Sequence, residues 1–152
     1  MQDTVKVIVF DCDGVLFDTA ESNRTYYNEI RRHLGLPDMT EEQFTFAHMH
    51  TVDETLQYLF GRNGKLQDAL AFRKKMNYLS FLEAMQMEPH LIQLLKKLRP
   101  KYKTSIATNR TDTMHRVLEA HKLESYFDLV VCAGDVSNSK PHPEPLLKIL
   151  DF

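Results

Sequence analysis

The chain has 152 residues, 43% of them hydrophobic and 26% charged, with a formal net charge of −2. That composition belongs to a folded globular protein of one ordinary domain, or a small core with an insertion, and excludes a disordered chain or a basic nucleic-acid surface. No apolar run approaches the roughly 20 residues of a membrane helix.

The first element is the run Val5-Lys6-Val7-Ile8-Val9-Phe10, apolar and β-branched, which predicts a buried strand. It starts within a few residues of Met1, with no basic or apolar leader pattern before it. It runs into Asp11-Cys12-Asp13-Gly14. Two acids suit a buried strand only at its open C-terminal end, where α/β sheets hold their ligands. A plain turn accounts for Asp-X-Asp-Gly equally well on composition. A calcium loop does not, because it needs glycine sixth and an acid twelfth. Counted from Asp11, Gly14 is fourth and the twelfth residue is Ser22.

From 18 to 87 the sequence reads as helical and carries no strand signal. Tyr26, Tyr27, Ile30 and Leu34 recur at helix spacing, with Gly35 and Pro37 as a stop. Thr40-Glu41-Glu42-Gln43 and Thr51-Val52-Asp53-Glu54 are both capping-box patterns. The second predicts a helix bearing Leu56, Leu59 and Phe60 that ends at Gly61. One long helix is then predicted from about Leu66 to Met85. Pro89 opens a helix with Leu91, Leu94, Leu95 and Leu98 on one face, and Pro100 ends it. Strands follow at 103–108 and 129–133, with a helix around Met114, Val117 and Leu118 between them. A last helix starts near Pro145.

Strands alternating with helices predict a parallel sheet. Asp11 and Asp13, Thr108 and Asn109, and the loop of Lys140 would then all follow strand ends at one edge. That convergence favours a site over a turn. The chemistry it suits is phosphoryl transfer. A carboxylate attacks phosphorus and forms an aspartyl phosphate that water cleaves. Lys140 and Thr108 supply positive charge and a donor. A magnesium ion offsets the repulsion between carboxylate and phosphate. The second acid gives a proton to the leaving oxygen and later takes one from water. Cys12 and Cys132 lie far apart without a Cys-X-X-Cys pattern, and read as free buried thiols of a reducing, cytoplasmic protein. The neighbouring carboxylates make Cys12 a packing residue rather than a nucleophile.

Asp11-Cys12-Asp13-Gly14-Val15 with Asp18-Thr19, Ala107-Thr108-Asn109-Arg110, and Ser139-Lys140-Pro141-His142-Pro143 resemble the first three motifs of the haloacid dehalogenase-like hydrolases. The branch they most resemble is that of the phosphoglycolate phosphatases. The resemblance implies an α/β fold: a Rossmann-like parallel sheet core of about three strands, hence incomplete, with an inserted all-helical cap. The core is expected at 1–17 and 88–152, and the cap, which closes over the site and selects substrate, at 18–87. It implies a magnesium-dependent phosphatase acting on a small phosphorylated metabolite. Asp11 would be nucleophile and metal ligand. Asp13 would be general acid and base, with its backbone carbonyl on the metal. Thr108 and the Asn109 amide would hold the phosphoryl group. Lys140 would neutralise charge, its loop stiffened by Pro141 and Pro143. Asp18 is read as structural, and His48, His50 and His142 as surface or hydrogen-bonded residues.

Within the family an acid at position 13 argues against dehalogenation, and Asn23, where sugar-phosphate mutases often carry histidine, against a mutase. The family's fourth motif, acids after a fourth strand that complete the magnesium site, is missing before Phe152, and Gly134-Asp135 cannot replace it. The expectation is therefore a fragment of a protein of about 200 residues or more, inactive or nearly so, whose bare first strand could pair with a second copy. The rival reading is a non-catalytic module that binds a phosphorylated ligand or a protein.

Overall fold

The computed structural model describes residues 5–152. In chain order the first elements are strands β1 (Val7–Phe10) and β2 (Phe17–Asp18) and helices α1 (Ala20–His33), α2 (Glu41–Met49) and α3 (Val52–Leu56). Helices α4 (Leu66–Arg73) and α5 (Tyr78–Glu83) and strand β3 (Gln86–Met87) follow. Then come α6 (Leu91–Leu98), β4 (Lys103–Ala107), α7 (Met114–Ala120), β5 (Leu129–Val131) and α8 (Glu144–Leu150). The chain divides into two compact units: residues up to Asp18 together with Gln86–Phe152, and Thr19–Met85.

The first unit is α/β. Its sheet has the order β1-β4-β5, and both pairings are parallel. Phe10 lies opposite Ile106, and Ala107 opposite Val131. The parallel register puts the C-terminal ends of all three strands at one edge, as the alternation of elements predicts. Ile106, Val131, Leu95, Met114 and Val117 are almost wholly removed from water. Each such side chain contributes about 1.5–3 kcal/mol of transfer free energy. Ala107, Val131 and Ile149 form one buried cluster, which ties α8 to the sheet. β1 pairs with β4 on one side only among the described residues.

One expectation fails at the ends of the insertion, which does have strands. β2 and β3 pair antiparallel, Phe17 with Met87 and Asp18 with Gln86, where the chain leaves the α/β unit and returns to it. A two-residue pairing is too short to show a period-2 pattern, so the sequence hides it.

The second unit is helical and is built largely from local signals. α1 ends in a Schellman motif: Leu36 N–H donates to Arg31 O at 2.8 Å and Gly35 N–H to Arg32 O at 3.1 Å. Gly35 has φ 69°, which its lack of a Cβ permits. Both capping boxes form, Thr40 with Gln43 and Thr51 with Glu54. α3 continues into a π-helical turn, Gln57–Gly61, that carries Leu59 and Phe60 inward. The core gathers Tyr26, Tyr27, Ile30, Leu56, Leu59 and Phe60.

The single long helix predicted from 66 to 85 is two helices. α4 closes with Lys75 N–H donating to Phe72 O and Met76 N–H to Arg73 O, three-residue bonds that tighten its last turn. The physical reason for the break is packing on Tyr26. Tyr78 and Phe81 of α5 meet its ring edge-on at 5.3 and 5.4 Å, and Arg73 Nε donates to its hydroxyl at 2.8 Å. Tertiary packing overrides the local propensity to continue.

Candidate active site

β1 delivers Asp11 to the sheet edge, and the chain then doubles back tightly. The carbonyl of Cys12 accepts from the N–H groups of Val15, Leu16 and Phe17 at 3.3, 2.9 and 3.2 Å. Gly14, at φ 75°, makes that turn, and its own N–H donates to Phe17 O at 2.8 Å. The turn therefore exists, and it holds two carboxylates. Cys12 lies fully buried inside it. Burial above all, with the adjacent Asp13 and Asp11 adding to it, pushes its thiol up to about 12 despite the nearby Arg110. It is inert packing, and desolvation is a larger cause than the carboxylates. Burial also pushes the Cys132 thiol up, to about 11.

Asp11 Oδ1 accepts from Cys12 N–H at 2.7 Å and meets Lys140 Nζ at 2.9 Å. Both contacts fall on the one oxygen. The side chain remains 42% exposed, so the carboxylate faces water at the strand end. Asp13 is held otherwise. Arg110 grips it with two parallel bonds, Nη2 to Oδ1 at 2.7 Å and Nε to Oδ2 at 3.0 Å. This is the fork-to-fork geometry of a strong charge-assisted pair.

β4 supplies the second loop. Thr108 is buried, its N–H bonded to Val131 O at 3.0 Å. Its hydroxyl oxygen accepts from Arg110 N–H at 3.2 Å, which leaves the hydroxyl proton to donate. The Asn109 side chain makes a reciprocal pair of bonds: it donates to Lys140 O and accepts from Lys140 N–H, both at 3.0 Å. It thus holds the third loop by its backbone and places the lysine.

The third loop is braced by carboxylates. Asp135 accepts from Cys132 N–H at 2.8 Å and so closes its own short turn. Glu144 accepts from Ser137 and Asn138 N–H at 2.7 and 2.9 Å. His142 Nδ1 accepts from Glu144 N–H at 3.2 Å, and His50 Nδ1 is bonded to Phe46 O at 2.9 Å, whereas His48 Nδ1 is buried with no hydrogen-bond partner among the described residues.

Asp11 and Lys140 are thus brought into contact, and Thr108 and Asn109 sit in the loop that follows β4, the strand paired with β1. Sequence reasoning gave Arg110 no task. The signal was an arginine two residues past Thr108, in a loop that also had to meet two acids, but a partner 97 residues away cannot be read from spacing.

No group of three or more His, Cys, Asp or Glu side chains able to hold a metal ion occurs among the described residues. Magnesium asks less of a protein, since one or two carboxylates suffice when water and substrate phosphate complete the shell. Asp11, a hard oxygen donor at the exposed rim, fits that need. The carboxylate of Asp13 is occupied by a guanidinium.

The sequence profile of the haloacid dehalogenase-like hydrolases matches residues 8–152. The chain belongs to that family. A family hydrolase of subfamily IA, variant 1, from Geobacter sulfurreducens is 35% identical, with a TM-score of 0.76 over 97% of this chain and 71% of that one. Pyrophosphatase PpaX of Bacillus cereus is 29% identical over 159 residues, 97% of this chain and 68% of the relative. A protein of Haemophilus somnus, predicted to be a phosphoglycolate phosphatase, is 18% identical with a TM-score of 0.81 over 99% of this chain and 72% of that one, a likeness of fold alone. By family, the chain is a hydrolase. No helix among the described residues is long and apolar enough to cross a membrane.

Proposed function

We propose that this hydrolase cleaves a small phosphomonoester through an aspartyl phosphate on Asp11. The observation that carries the reading is the Asp11–Lys140 contact of 2.9 Å, on a carboxylate that faces water at the strand end. A nucleophile for phosphorus needs a cation beside it and an open approach, and Asp11 has both. An Asp11 oxygen attacks phosphorus, and the bond to the leaving oxygen breaks as Asp13, which must first take up a proton on an oxygen freed from Arg110, gives that proton to it. Asp13 then takes a proton from water, whose oxygen attacks the acyl phosphate and frees inorganic phosphate. Thr108 and the Asn109 N–H hold the phosphoryl oxygens, and Lys140 offsets their charge. Asp11 and the Asp13 backbone carbonyl are the donors for magnesium, which when bound relieves the repulsion between carboxylate and phosphate. The helical unit is read as the cap that selects the substrate.

The test is phosphate release from p-nitrophenyl phosphate, with magnesium and with chelator, beside Asp11→Asn. Pyrophosphate belongs in the same series, because the Bacillus relative is a pyrophosphatase by name. Magnesium-dependent release that falls to background in the variant is expected. Release that survives Asp11→Asn overturns the mechanism. Phosphate bound without turnover turns the reading toward a binding module, and a sugar phosphate isomerised without phosphate release turns it toward a mutase.

A further inference from the structure

We infer that Arg110 is a positioning residue that sets Asp13, and with it the whole 11–17 turn, in the geometry the reaction uses. The inference rests on the phosphatase reading for what the geometry is used for, but the placement itself is read from contacts. Arg110 is nine-tenths buried. A buried guanidinium is costly unless its donors are met. Here Nη2 and Nε take the two oxygens of Asp13, and Nη1 donates to Thr113 Oγ1 at 3.3 Å. Its backbone N–H reaches Thr108 Oγ1 at 3.2 Å. One residue therefore ties the acid of the first loop to the hydroxyl of the second.

The fork is what matters. Two parallel bonds fix both the position and the rotation of a carboxylate, where a point charge would fix only the position. The turn that carries Asp13 is closed by the Cys12 carbonyl and by Gly14 N–H on Phe17 O, with Gly14 and Val15 exposed at its tip. Asn109 does the parallel task for Lys140, through backbone bonds rather than a charge. Residues 108–110 thus offer two groups to the substrate, the Thr108 hydroxyl and the Asn109 N–H, and align Asp13 and Lys140 beside them.

The experiment compares wild type, Arg110→Lys, Arg110→Gln and Asp13→Asn on two substrates, p-nitrophenyl phosphate and a simple alkyl phosphate. The nitrophenolate leaves without a proton and the alkoxide does not, so the contrast reports the placement of Asp13 rather than general damage. Expected for Arg110→Gln is a loss of about 100-fold in kcat on the alkyl phosphate. The loss on p-nitrophenyl phosphate should be much smaller and KM nearly unchanged. Asp13→Asn should show the same selectivity, and Arg110→Lys should recover part of the loss. Equal losses on both substrates, or a loss in KM alone, overturn the inference.

A second readout needs no turnover. Amide exchange at Leu16 and Phe17, whose N–H groups bond to Cys12 O, should quicken in Arg110→Lys while the amides of β4 keep their wild-type rates. Exchange at the turn equal to wild type overturns the inference even in a chain that hydrolyses nothing. Asp11→Asn judges the phosphatase reading separately, so the two can fail independently.

Discussion

The two units handle charge in opposite ways. In the helical unit, arginines meet carboxylates on the surface: Arg24 with Glu41 at 2.9 Å, and Arg32 with Asp38. The arginine partners hold Glu41 and Asp38 below the usual carboxylate range, yet both lie open to solvent. In the α/β unit, at the end of the sheet, Asp13 and Arg110 form a mostly buried pair and Asp11 and Lys140 a partly buried one. Exposed pairs of the first kind add little to stability. Pairs of the second kind cost desolvation and return it as fixed geometry. The helical unit therefore owes its stability to its apolar core and its helix ends, and the α/β unit spends its charges on placing side chains.

That contrast can be broken from either side. The largest effect is expected in the helical core. Phe60→Ala, at a side chain with no exposure among Tyr26, Ile30 and Leu56, should cost about 3–5 kcal/mol in denaturant unfolding. A cost below about 1 kcal/mol would mean that the cluster collapses around the loss and does not carry the unit. Lys140→Ala should do the reverse. It removes the cation facing Asp11, and kcat should fall about 100- to 1,000-fold. The unfolding midpoint should hardly move, because the pair is partly solvated. A large fall in the midpoint with activity spared would invert the comparison.

Asn109→Ala tests the same side with a smaller effect. It removes a reciprocal pair of bonds that hold the backbone of Lys140, and should cost about 1–3 kcal/mol in stability. The expected signature is a fall in kcat that phosphate binding does not share, since the lysine is misplaced and not lost.

The same contrast explains what the sequence reveals. The helical unit's stops and starts are legible because each is made by residues three or four apart: Thr40 with Gln43, Thr51 with Glu54, Gly35 with Arg32. Its broken helix is not, because the break is set by Tyr26, in a different helix. In the α/β unit the strands and their common edge follow from the alternation of elements, and Asp11, Asp13 and Lys140 from their places at strand ends. The clamp of Arg110 and the staple of Asn109 are invisible there, since their partners lie 97 and 31 residues away. The residues proposed to carry the chemistry announce themselves by type, whereas those that touch them from far along the chain are known only by contact.

The smallest effect is also the most discriminating for the helical unit. Both capping boxes join a threonine to a residue three positions on, but in one the partner is Gln43 and in the other Glu54. Thr51 donates to Glu54 from its backbone N–H at 2.9 Å and from its hydroxyl at 2.8 Å, and these bonds hold the Glu54 carboxyl below its ordinary value of 4.5. A depressed carboxyl contributes stability that is complete above that ordinary value and is lost as pH falls through the lowered one. Thr51→Ala and Thr40→Ala should each cost about 1 kcal/mol at neutral pH. Below pH 4.5 the cost of Thr51→Ala should shrink as Glu54 takes up its proton. It should not vanish, since Glu54 N–H still donates to Thr51 Oγ1 at 3.3 Å in the parent chain. The cost of Thr40→Ala should not change with pH, because Gln43 does not titrate. Glu54→Gln should make the second box behave like the first. Unfolding curves of these three variants between neutral pH and pH 3 check this, and equal pH dependence of the two threonine variants would show that the bond from the Thr51 hydroxyl to the carboxylate adds nothing to the cap.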